Sequence, residues 1–156
     1  MIKEKSTAPK FSLLDQDGIE RPLADYRGSW VLLYFYPKDD TPGCTKEACM
    51  IRENFSEFKK LKITVLGVSK DSVKSHKKFA EKYSLPFTLL SDESLAVMKE
   101  YGVWAKKKFM GREYMGTVRS SYLIDPKGKI AKVYEKVEPA GHADQVLADL
   151  KSALLV

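Results

Sequence analysis

The chain has 156 residues, of which 44% are hydrophobic and 31% are charged, and its net charge is +6. These values are typical of one globular domain that buries its own core, so residues 1–156 are assigned to a single domain. Two cysteines are too few for a disulfide scaffold. A structural zinc site needs about four ligands, and neither His76 nor His142 lies in a ligand-like cluster of the sequence, so we expect no metal site.

The charge and hydropathy patterns also argue against two classes of partner. The lysines are spread over several predicted helices and loops among many glutamates, whereas a nucleic-acid-binding face gathers its basic residues together. The longest apolar run, residues 30–36, is far too short to cross a bilayer, and the N-terminus has no apolar stretch of the secretory kind. We therefore predict a cytoplasmic protein that binds neither nucleic acid nor membranes.

The predicted elements alternate between strands and helices along the chain. They are a hairpin at 11–14 and 19–21, a strand at 30–36, a helix from about residue 42, a strand at 63–69, a helix from 71 or 72 to 83, a strand at 86–90, a short helix at 94–101, a hairpin at 117–124 and 130–137, and a helix at 143–154. This alternation places parallel strands in the core with helices on both faces, and the hairpins add antiparallel strands. The expected fold is an α/β thioredoxin-like three-layer sandwich with a central mixed sheet and an N-terminal hairpin.

The helix after the first buried strand carries a regular apolar stripe. Its members are spaced by four, three, four and three residues: Cys44, Ala48, Ile51, Phe55 and Phe58. The preceding pair, Thr41 and Pro42, predicts the helix start, with a capping hydroxyl followed by proline in the first turn. Reactive groups in such sheets gather after the carboxyl ends of the strands, and Cys44 lies there.

The first helical turn gives Cys44 a specific chemical setting. Unpaired amide groups and the helix macrodipole stabilise a thiolate there, and the thiolate is the nucleophilic form of cysteine. Gly43 lets backbone amides approach a small substrate, and the Thr41 hydroxyl can turn toward the sulfur or toward a bound substrate. The alternative is a buried cysteine that only packs in the helix stripe, and spacing alone does not decide between the two.

Cys49 follows Cys44 by five residues in the same predicted helix. In a regular helix that spacing puts the two Cα atoms about 8.6 Å apart, whereas bridged cysteines need Cα atoms within about 7 Å. A disulfide between them therefore requires the first turns of the helix to unwind. Such a pair suits a thiol that reacts in one conformation and is bridged in another.

Two segments of the sequence form recognisable motifs. The first is the run PKDDTPGCTKEAC at 37–49, which contains the pattern Pro37-x-x-x-Thr41-x-x-Cys44. The second comprises GVW at 102–104, YMG at 114–116 and RSSYLID at 119–125. Both segments resemble the peroxiredoxins, and in particular the subfamily called bacterioferritin comigratory protein or peroxiredoxin Q. The resemblance covers about residues 8–134.

The resemblance implies a thioredoxin-like fold and the reduction of hydrogen peroxide and organic hydroperoxides without a metal or an organic cofactor. It also implies roles for individual residues. Cys44 matches the peroxidatic cysteine and Cys49 the resolving cysteine. Thr41 matches the hydroxyl that holds the peroxide, Arg119 the active-site arginine, and Glu47 the acidic residue that orients the arginine. Pro37 and Pro42 match pocket residues, with Gly43 beside them.

Arg119 has a physical argument of its own. It falls within the predicted strand 117–124, where an arginine among β-forming residues is costly unless it is paired. A guanidinium next to the sulfur would stabilise the thiolate and the negative charge on the leaving oxygen. The alternative is an arginine on the exposed face of the hairpin, and only the resemblance favours the active-site role.

The predicted reaction cycle follows from these roles. Cys44 is oxidised to a sulfenic acid, Cys49 condenses with it to an intramolecular disulfide, and an external dithiol restores both thiols. The resemblance implies thioredoxin or a similar protein as that reductant. We expect a monomer or a weak homodimer.

Two other classes of protein are compatible with the expected fold. A general thiol–disulfide oxidoreductase would carry a Cys-x-x-Cys pair, which bridges across one helical turn, and the spacing of Cys44 and Cys49 is longer. A non-catalytic binding module would not require a threonine and an arginine around the thiol. The peroxidase is therefore the preferred interpretation.

Overall fold

The computed structural model describes residues 1–154, and the last two residues of the predicted domain 1–156 lie outside the described residues. The strands are β1 Ser12–Leu14, β2 Glu20–Pro22, β3 Trp30–Phe35, β4 Ile63–Ser69, β5 Thr88–Ser91, β6 Trp104–Phe109, β7 Arg112–Thr117, β8 Ser120–Ile124 and β9 Ile130–Tyr134. The helices are α1 Pro42–Glu53, α2 Phe55–Lys60, α3 Val73–Lys82, α4 Ala96–Glu100 and α5 His142–Leu154, with a 3-10 turn at Leu23–Tyr26. No helix within residues 1–154 combines the length and the apolar character that crossing a membrane requires.

The main sheet has the mixed arrangement that the element order predicts. Its strands lie in the order β2-β1-β5-β4-β3-β8-β9. The central strands β3, β4 and β5 run parallel, whereas β8 pairs antiparallel with β3, and β1 pairs antiparallel with β5. The predicted N-terminal hairpin is formed by β1 and β2. The structure therefore confirms the expected mixed sheet flanked by helices.

Strand β3 lies at the centre of the fold because both of its faces are apolar. Val31, Leu33 and Phe35 pack into one core, and Leu32 and Tyr34 pack into a second core on the other face. Alternate side chains of a strand point to opposite faces, so a continuous apolar run buries both. The core around Leu32 and Tyr34 also takes in residues of α1, α2, α3 and α5, whereas α4 packs on the opposite face.

A glycine in β4 makes room for a tyrosine ring beneath α1. Gly67 pairs with Tyr34 across the two strands, and a Cβ atom at Gly67 would lie 2.8 Å from the Tyr34 ring. That distance is well below van der Waals contact, so a side chain at this position would displace the ring. The ring itself packs on Tyr36 and Phe87, so aromatic side chains form the part of the core that also contains Cys44.

The single helix predicted after β3 is two helices in the structure. The helices α1 and α2 meet at Asn54, which belongs to neither. The Asn54 side-chain amide donates to the Met50 carbonyl oxygen at 2.8 Å, and such local bonds compete with the helical hydrogen-bond pattern. The predicted apolar stripe still faces the core, since all of its members are buried except the half-buried Phe55.

The strand predicted at 117–124 is shorter in the structure, and a hairpin that was not predicted precedes it. Strands β6 and β7 pair antiparallel outside the main sheet. They turn at Met110 and Gly111, whose φ angles of 50° and 79° are the left-handed pair of a tight hairpin turn. Val118 and Arg119 connect β7 to β8, so the prediction that Arg119 lies in a strand is wrong. Three successive lysines in β6 hide the strand alternation, which is why the sequence did not indicate this hairpin.

The ends of the other elements shift slightly from their predicted positions. Strand β5 begins at Thr88, because Pro86 has no amide hydrogen to donate to the sheet. Helix α3 begins after Ser72, whose hydroxyl accepts from the Ser75 amide at 3.1 Å, as expected of a capping residue. These shifts leave the predicted order of elements unchanged.

Candidate active site

Cys44 lies in the first turn of α1, after the carboxyl end of β3, which is the position expected from the sequence. Thr41 is the N-cap residue with an extended backbone, and Pro42 opens the helix. The Cys44 side chain is only 2% exposed and belongs to the core between the sheet and the helices. The sulfur is therefore held in a nearly closed environment at a helix end, where amide groups lack helical partners.

Arg119 reaches the Cys44 sulfur from the connection between β7 and β8. Its Nη2 atom donates to Cys44 Sγ at 3.1 Å, and its Nη1 atom donates to Glu47 Oε1 at 2.7 Å. Cys44 and Glu47 are three residues apart in α1, so both face the same side of the helix. The planar guanidinium bridges them, and its positive charge stabilises negative charge on the sulfur.

Gly43 leaves space for that guanidinium. A Cβ atom at Gly43 would lie 3.0 Å from Arg119 Nη2 and 3.8 Å from the Cγ atom of Pro139. The first distance is tighter than ordinary contact, so a side chain here would push the arginine away. The sequence predicts that Gly43 lets backbone amides approach a small substrate, and the structure adds the approach of Arg119.

Glu47 is a buried carboxyl group. Its side chain is only 1% exposed. Burial raises the pKa of Glu47 to about 7, although the charge and hydrogen bond of Arg119 lower it in part. The pKa of Arg119 is raised, because Glu47 and Cys44 together outweigh the effect of burial. Among the described residues, Glu47 Oε2 and the Tyr34 hydroxyl are buried without a hydrogen-bond partner.

The Thr41 hydroxyl does not cap α1, so that expectation from the sequence is wrong. It donates instead to the Lys38 carbonyl oxygen at 2.9 Å, within the loop that precedes the helix. Because its hydrogen is used in this bond, the hydroxyl oxygen is left as an acceptor for an incoming O–H group. Pro42 favours the helix start through its fixed φ angle, and the amides of the first turn receive no side-chain cap.

Cys49 lies in α1 together with Cys44, and both are free thiols. Cys49 is half-buried, whereas Cys44 is buried. Because α1 is continuous over both positions, their Cα atoms have the α-helical separation of about 8.6 Å. Bridging requires about 7 Å or less, so this conformation keeps the two thiols apart.

A buried polar network behind the loop was not predicted from the sequence. Asp39 Oδ1 accepts from the Tyr36 hydroxyl at 2.5 Å, and Oδ2 lies 2.8 Å from the Ser75 hydroxyl and 2.6 Å from His76 Nδ1. The Asp39 amide donates to Asp71 Oδ2 at 2.8 Å. These residues come from separate segments, and no spacing in the sequence indicates that they meet.

The same network corrects one expectation about the histidines. Asp39, Asp71 and His76 bring atoms of the metal-ligand type within 4.8 Å of one another, so the prediction that neither histidine lies in such a cluster is wrong. However, the Asp71 oxygen that faces Asp39 also accepts from Ser69 at 2.6 Å, and both Asp39 oxygens accept protein donors. The cluster is therefore fully explained as a hydrogen-bonded network.

An open cleft of about 430 Å³ lies beside Arg119. Its lining consists of Lys107, Val118, Arg119, Lys136, Val137 and Glu138. Lys107 enters the cleft from β6, and burial together with the charge of Arg119 lowers its pKa. Beyond Lys107 the hairpin exposes four apolar side chains, Phe109, Met110, Tyr114 and Met115. The unpredicted hairpin therefore forms one wall of the approach to the arginine.

The site combines a thiol and an arginine at the carboxyl end of a central strand, on a mixed sheet with helices on both faces. This combination defines the class of thiol peroxidases with a thioredoxin-like fold. The model of the AhpC/TSA family matches residues 5–133. The chain belongs to this family, in its bacterioferritin comigratory protein and peroxiredoxin Q branch.

Curated relatives match the chain over nearly its whole length. It is 50% identical over 150 residues to the peroxiredoxin Bcp of Escherichia coli strain K12, covering 96% of each chain. It is 44% identical over 144 residues to the peroxiredoxin Bcp of Bacillus subtilis, covering 92% of each chain. The predicted family is thereby confirmed, and the enzyme is a thiol-dependent peroxidase.

Solved structures confirm the predicted thioredoxin-like fold. One is the bacterioferritin comigratory protein of Xanthomonas campestris, which was studied for alkyl peroxide reduction. It superposes with a TM-score of 0.87 at 40% identity, covering 92% of this chain and 91% of that chain. A cysteine mutant of Xylella fastidiosa PrxQ superposes with a TM-score of 0.93 at 34% identity, covering 99% and 98%.

Proposed function

We propose that the chain reduces hydrogen peroxide and organic hydroperoxides at Cys44, with Cys49 as the resolving thiol and a thioredoxin-like dithiol protein as reductant. The observation that carries this proposal is the 3.1 Å contact between Arg119 Nη2 and Cys44 Sγ. A guanidinium at that distance stabilises a thiolate and, during reaction, the charge on the departing oxygen. The alkyl peroxide reduction studied in the X. campestris relative supports organic hydroperoxides as substrates.

In the first step the Cys44 thiolate attacks one peroxide oxygen in line with the O–O bond. An S–O bond forms, the O–O bond breaks, and the second oxygen leaves as water or an alcohol after taking up a proton. Arg119 and the amides of Gly43 and Cys44 are donors for the two oxygens, and the Thr41 oxygen accepts from the peroxide hydroxyl. The product on Cys44 is a sulfenic acid.

In the second step Cys49 attacks the Cys44 sulfur, a disulfide forms, and the sulfenic oxygen leaves as water. This step requires the first turns of α1 to unwind, because the helix holds the two Cα atoms too far apart. The external dithiol then reduces the disulfide by exchange and becomes oxidised itself.

The remaining residues support this chemistry. Pro37 and Pro42 bracket the loop that carries Thr41, and they shape the pocket over the sulfur. Lys70 Nζ donates to the Pro37 carbonyl oxygen at 3.2 Å, which holds the start of that loop. Glu47 orients Arg119 by accepting the 2.7 Å hydrogen bond from its Nη1 atom.

We also infer the setting in which the enzyme works. It acts as a single-domain monomer or weak homodimer in the cytoplasm. In a reducing compartment a close cysteine pair is redox-active rather than structural, and the pair here is built to be bridged only after a conformational change.

The test is the consumption of hydrogen peroxide by reduced wild-type protein and by Cys44→Ser, followed by intact mass. Wild type is expected to consume peroxide and to lose about 2 Da, the two thiol hydrogens, when the disulfide forms. Cys44→Ser is expected to leave peroxide untouched. An inactive wild type, or an active Cys44→Ser, would contradict the proposal. Strong insulin reduction by wild type would favour the thiol–disulfide oxidoreductase instead.

A further inference from the structure

His76 is a buried histidine outside the chemistry described so far. It lies in α3 and has no exposed surface. Its Nδ1 atom lies 2.6 Å from Asp39 Oδ2, and its Nε2 atom lies 3.0 Å from the Leu90 carbonyl oxygen. A carbonyl oxygen can only accept, so Nε2 donates to Leu90, and Nδ1 is within hydrogen-bond distance of Asp39. The ring therefore links Asp39 to β5 through two satisfied hydrogen bonds.

Asp39 lies in the loop between β3 and α1 that carries Thr41. Its carboxylate and amide make four hydrogen bonds, with partners Tyr36, Ser75, His76 and Asp71. These partners belong to α3 or to the segments that follow β3 and β4, and none of them belongs to α1. A loop anchored in this way keeps its place when the start of α1 unwinds.

The conformation of the loop needs such an anchor. Asp40 has a φ of 55°, in the left-handed region that is unfavourable for a residue with a side chain. Its carboxylate is held by Lys82 Nζ at 2.7 Å and by the Tyr83 hydroxyl at 2.6 Å. Asp39 and Asp40 are thus both tied to α3 or its end, and Thr41 is the next residue along the chain. The two aspartates therefore set where the Thr41 oxygen lies relative to the thiol.

We propose that His76 is a positioning residue for peroxide reduction, which acts through Asp39 to fix the loop that carries Thr41, the residue just before the helix of the reactive thiol. This inference rests on the function proposed above. His76 contacts no reacting atom, so its loss affects the placement of the peroxide and leaves the thiol itself reactive. A reagent that attacks the sulfur without using the loop distinguishes these two effects.

Two conservative substitutions test the two hydrogen bonds of the His76 ring one at a time. The amide nitrogen of asparagine replaces Nδ1 and that of glutamine replaces Nε2, so His76→Asn keeps a donor for Asp39 and His76→Gln keeps one for Leu90. Both are made in a Cys49→Ser protein, where Cys44 is the single thiol. We expect His76→Gln to lower the second-order rate constant with hydrogen peroxide about tenfold or more, and His76→Asn to keep it within about threefold. Alkylation by iodoacetamide, followed by intact mass, is expected to stay within about twofold in both.

His142→Gln is the matched control. His142 has no exposed surface, and its Nε2 atom is paired with the Ser121 hydroxyl at 2.8 Å, outside the loop. This variant is expected to keep both rates within about twofold of the parent. Equal peroxide rates in the two His76 variants, or an equal loss of alkylation and peroxide reduction, would overturn the inference.

A second variant covers the case in which His76→Gln does not fold. Ser75→Ala removes one donor from the same Asp39 oxygen, and we expect a peroxide reaction about two- to fivefold slower with unchanged alkylation. A folded Ser75→Ala protein that reacts with peroxide like its parent would overturn the inference. A parent protein that does not react with peroxide overturns the proposed function, whereas a reactive parent with insensitive His76 variants overturns this inference alone.

Discussion

The guanidinium of Arg119 lies 3.1 Å from the sulfur of Cys44, although 75 positions separate the two residues in the chain. The same guanidinium pairs with Glu47 at 2.7 Å. It also lies so close to Gly43 that an added Cβ atom there would be 3.0 Å from Nη2. The reactive end of α1 is therefore completed by a residue from the connection between β7 and β8. The position of this arginine depends on the packing of the whole sheet.

Arg119→Lys is expected to lower the rate constant for peroxide reduction about 10²-fold. Lysine keeps the charge, but one ammonium group cannot bridge Cys44 and Glu47 in the way that the planar fork does. The measurement is stopped-flow reaction of the reduced protein with hydrogen peroxide. Arg112→Lys, at an exposed position of β7, is the control and is expected to react like wild type. Wild-type rates in Arg119→Lys would show that the two-point contact is not required.

Gly43→Ala is expected to slow peroxide reduction about tenfold, because the new Cβ atom would lie 3.0 Å from Arg119 Nη2 and displace the guanidinium. Gly141→Ala is the matched control, since a Cβ atom there meets nothing within 4 Å. Both variants are compared by peroxide kinetics and by urea denaturation. If Gly43→Ala is as fast as wild type while Gly141→Ala is unaffected, the close packing over Gly43 is not needed for the reaction.

Cys49→Ser is expected to reduce one equivalent of peroxide rapidly but not to turn over. Without a second thiol, Cys44 stays as a sulfenic acid, which adds about 16 Da, and further peroxide converts it to the sulfinic acid. Turnover with thioredoxin as reductant is expected to be lost, as measured by the oxidation of NADPH through thioredoxin reductase. Steady turnover equal to that of wild type would rule out Cys49 as the resolving thiol.

Glu47→Gln is expected to change how stability depends on pH. The pKa of Glu47 is about 7 in the folded protein against an ordinary value of 4.5, so the folded protein keeps a proton there that the unfolded chain has lost. The contribution of Glu47 to stability is therefore greatest at low pH and falls as the pH rises from 4.5 to 7, by on the order of 3 kcal/mol.

Urea denaturation between pH 4.5 and 8 measures this effect as the stability difference between Glu47→Gln and wild type. That difference is expected to shift in favour of the glutamine variant as the pH rises. Glu53→Gln, at an exposed position of the same helix, is expected to show no such shift. A pH-independent difference for Glu47→Gln would contradict the raised pKa.

His142→Gln is expected to remove a pH dependence of the opposite sign. Burial lowers the pKa of His142 to about 4 from an ordinary value of 6.5, although Gln145 and Asp149 raise it in part. The stability that this neutral histidine contributes is present above pH 6.5 and is lost as the pH falls toward 4, by on the order of 3 kcal/mol. Acid denaturation of wild type and His142→Gln measures it. A variant that loses stability on acidification as steeply as wild type would contradict this assignment.

The parts of the fold that could be predicted from the sequence are those with a local signal. The apolar run of β3, the start of α1 at Pro42 and the five-residue spacing of the cysteines all depend on neighbours in the chain. Helical and strand periodicities carry that information directly. The alternation of elements then predicted the mixed sheet, and the run at 37–49 predicted the family.

The parts that could not be predicted are contacts between segments far apart in the chain. The β6–β7 hairpin has no clear alternation, and Arg119 was expected in a strand although it lies in a connection. The Thr41 hydroxyl was expected to cap α1, and its actual acceptor depends on how the loop folds back. The partners of Asp39 come from α3 and from the segments that follow β3 and β4, and side-chain hydrogen bonds of this kind leave no periodic pattern.

Local patterns in the sequence are enough to place a cysteine in the first turn of a helix after a buried strand, and a second thiol too far along that helix to bridge it. The charges that meet the sulfur, and the groups that are removed from water, follow from the tertiary packing. Arg119 contacts Cys44 only because β8 packs beside β3. Glu47 and His142 have shifted pKa values only because packing buries them. Burial and long-range pairing are properties of the packed chain, since they depend on residues that no local pattern places together.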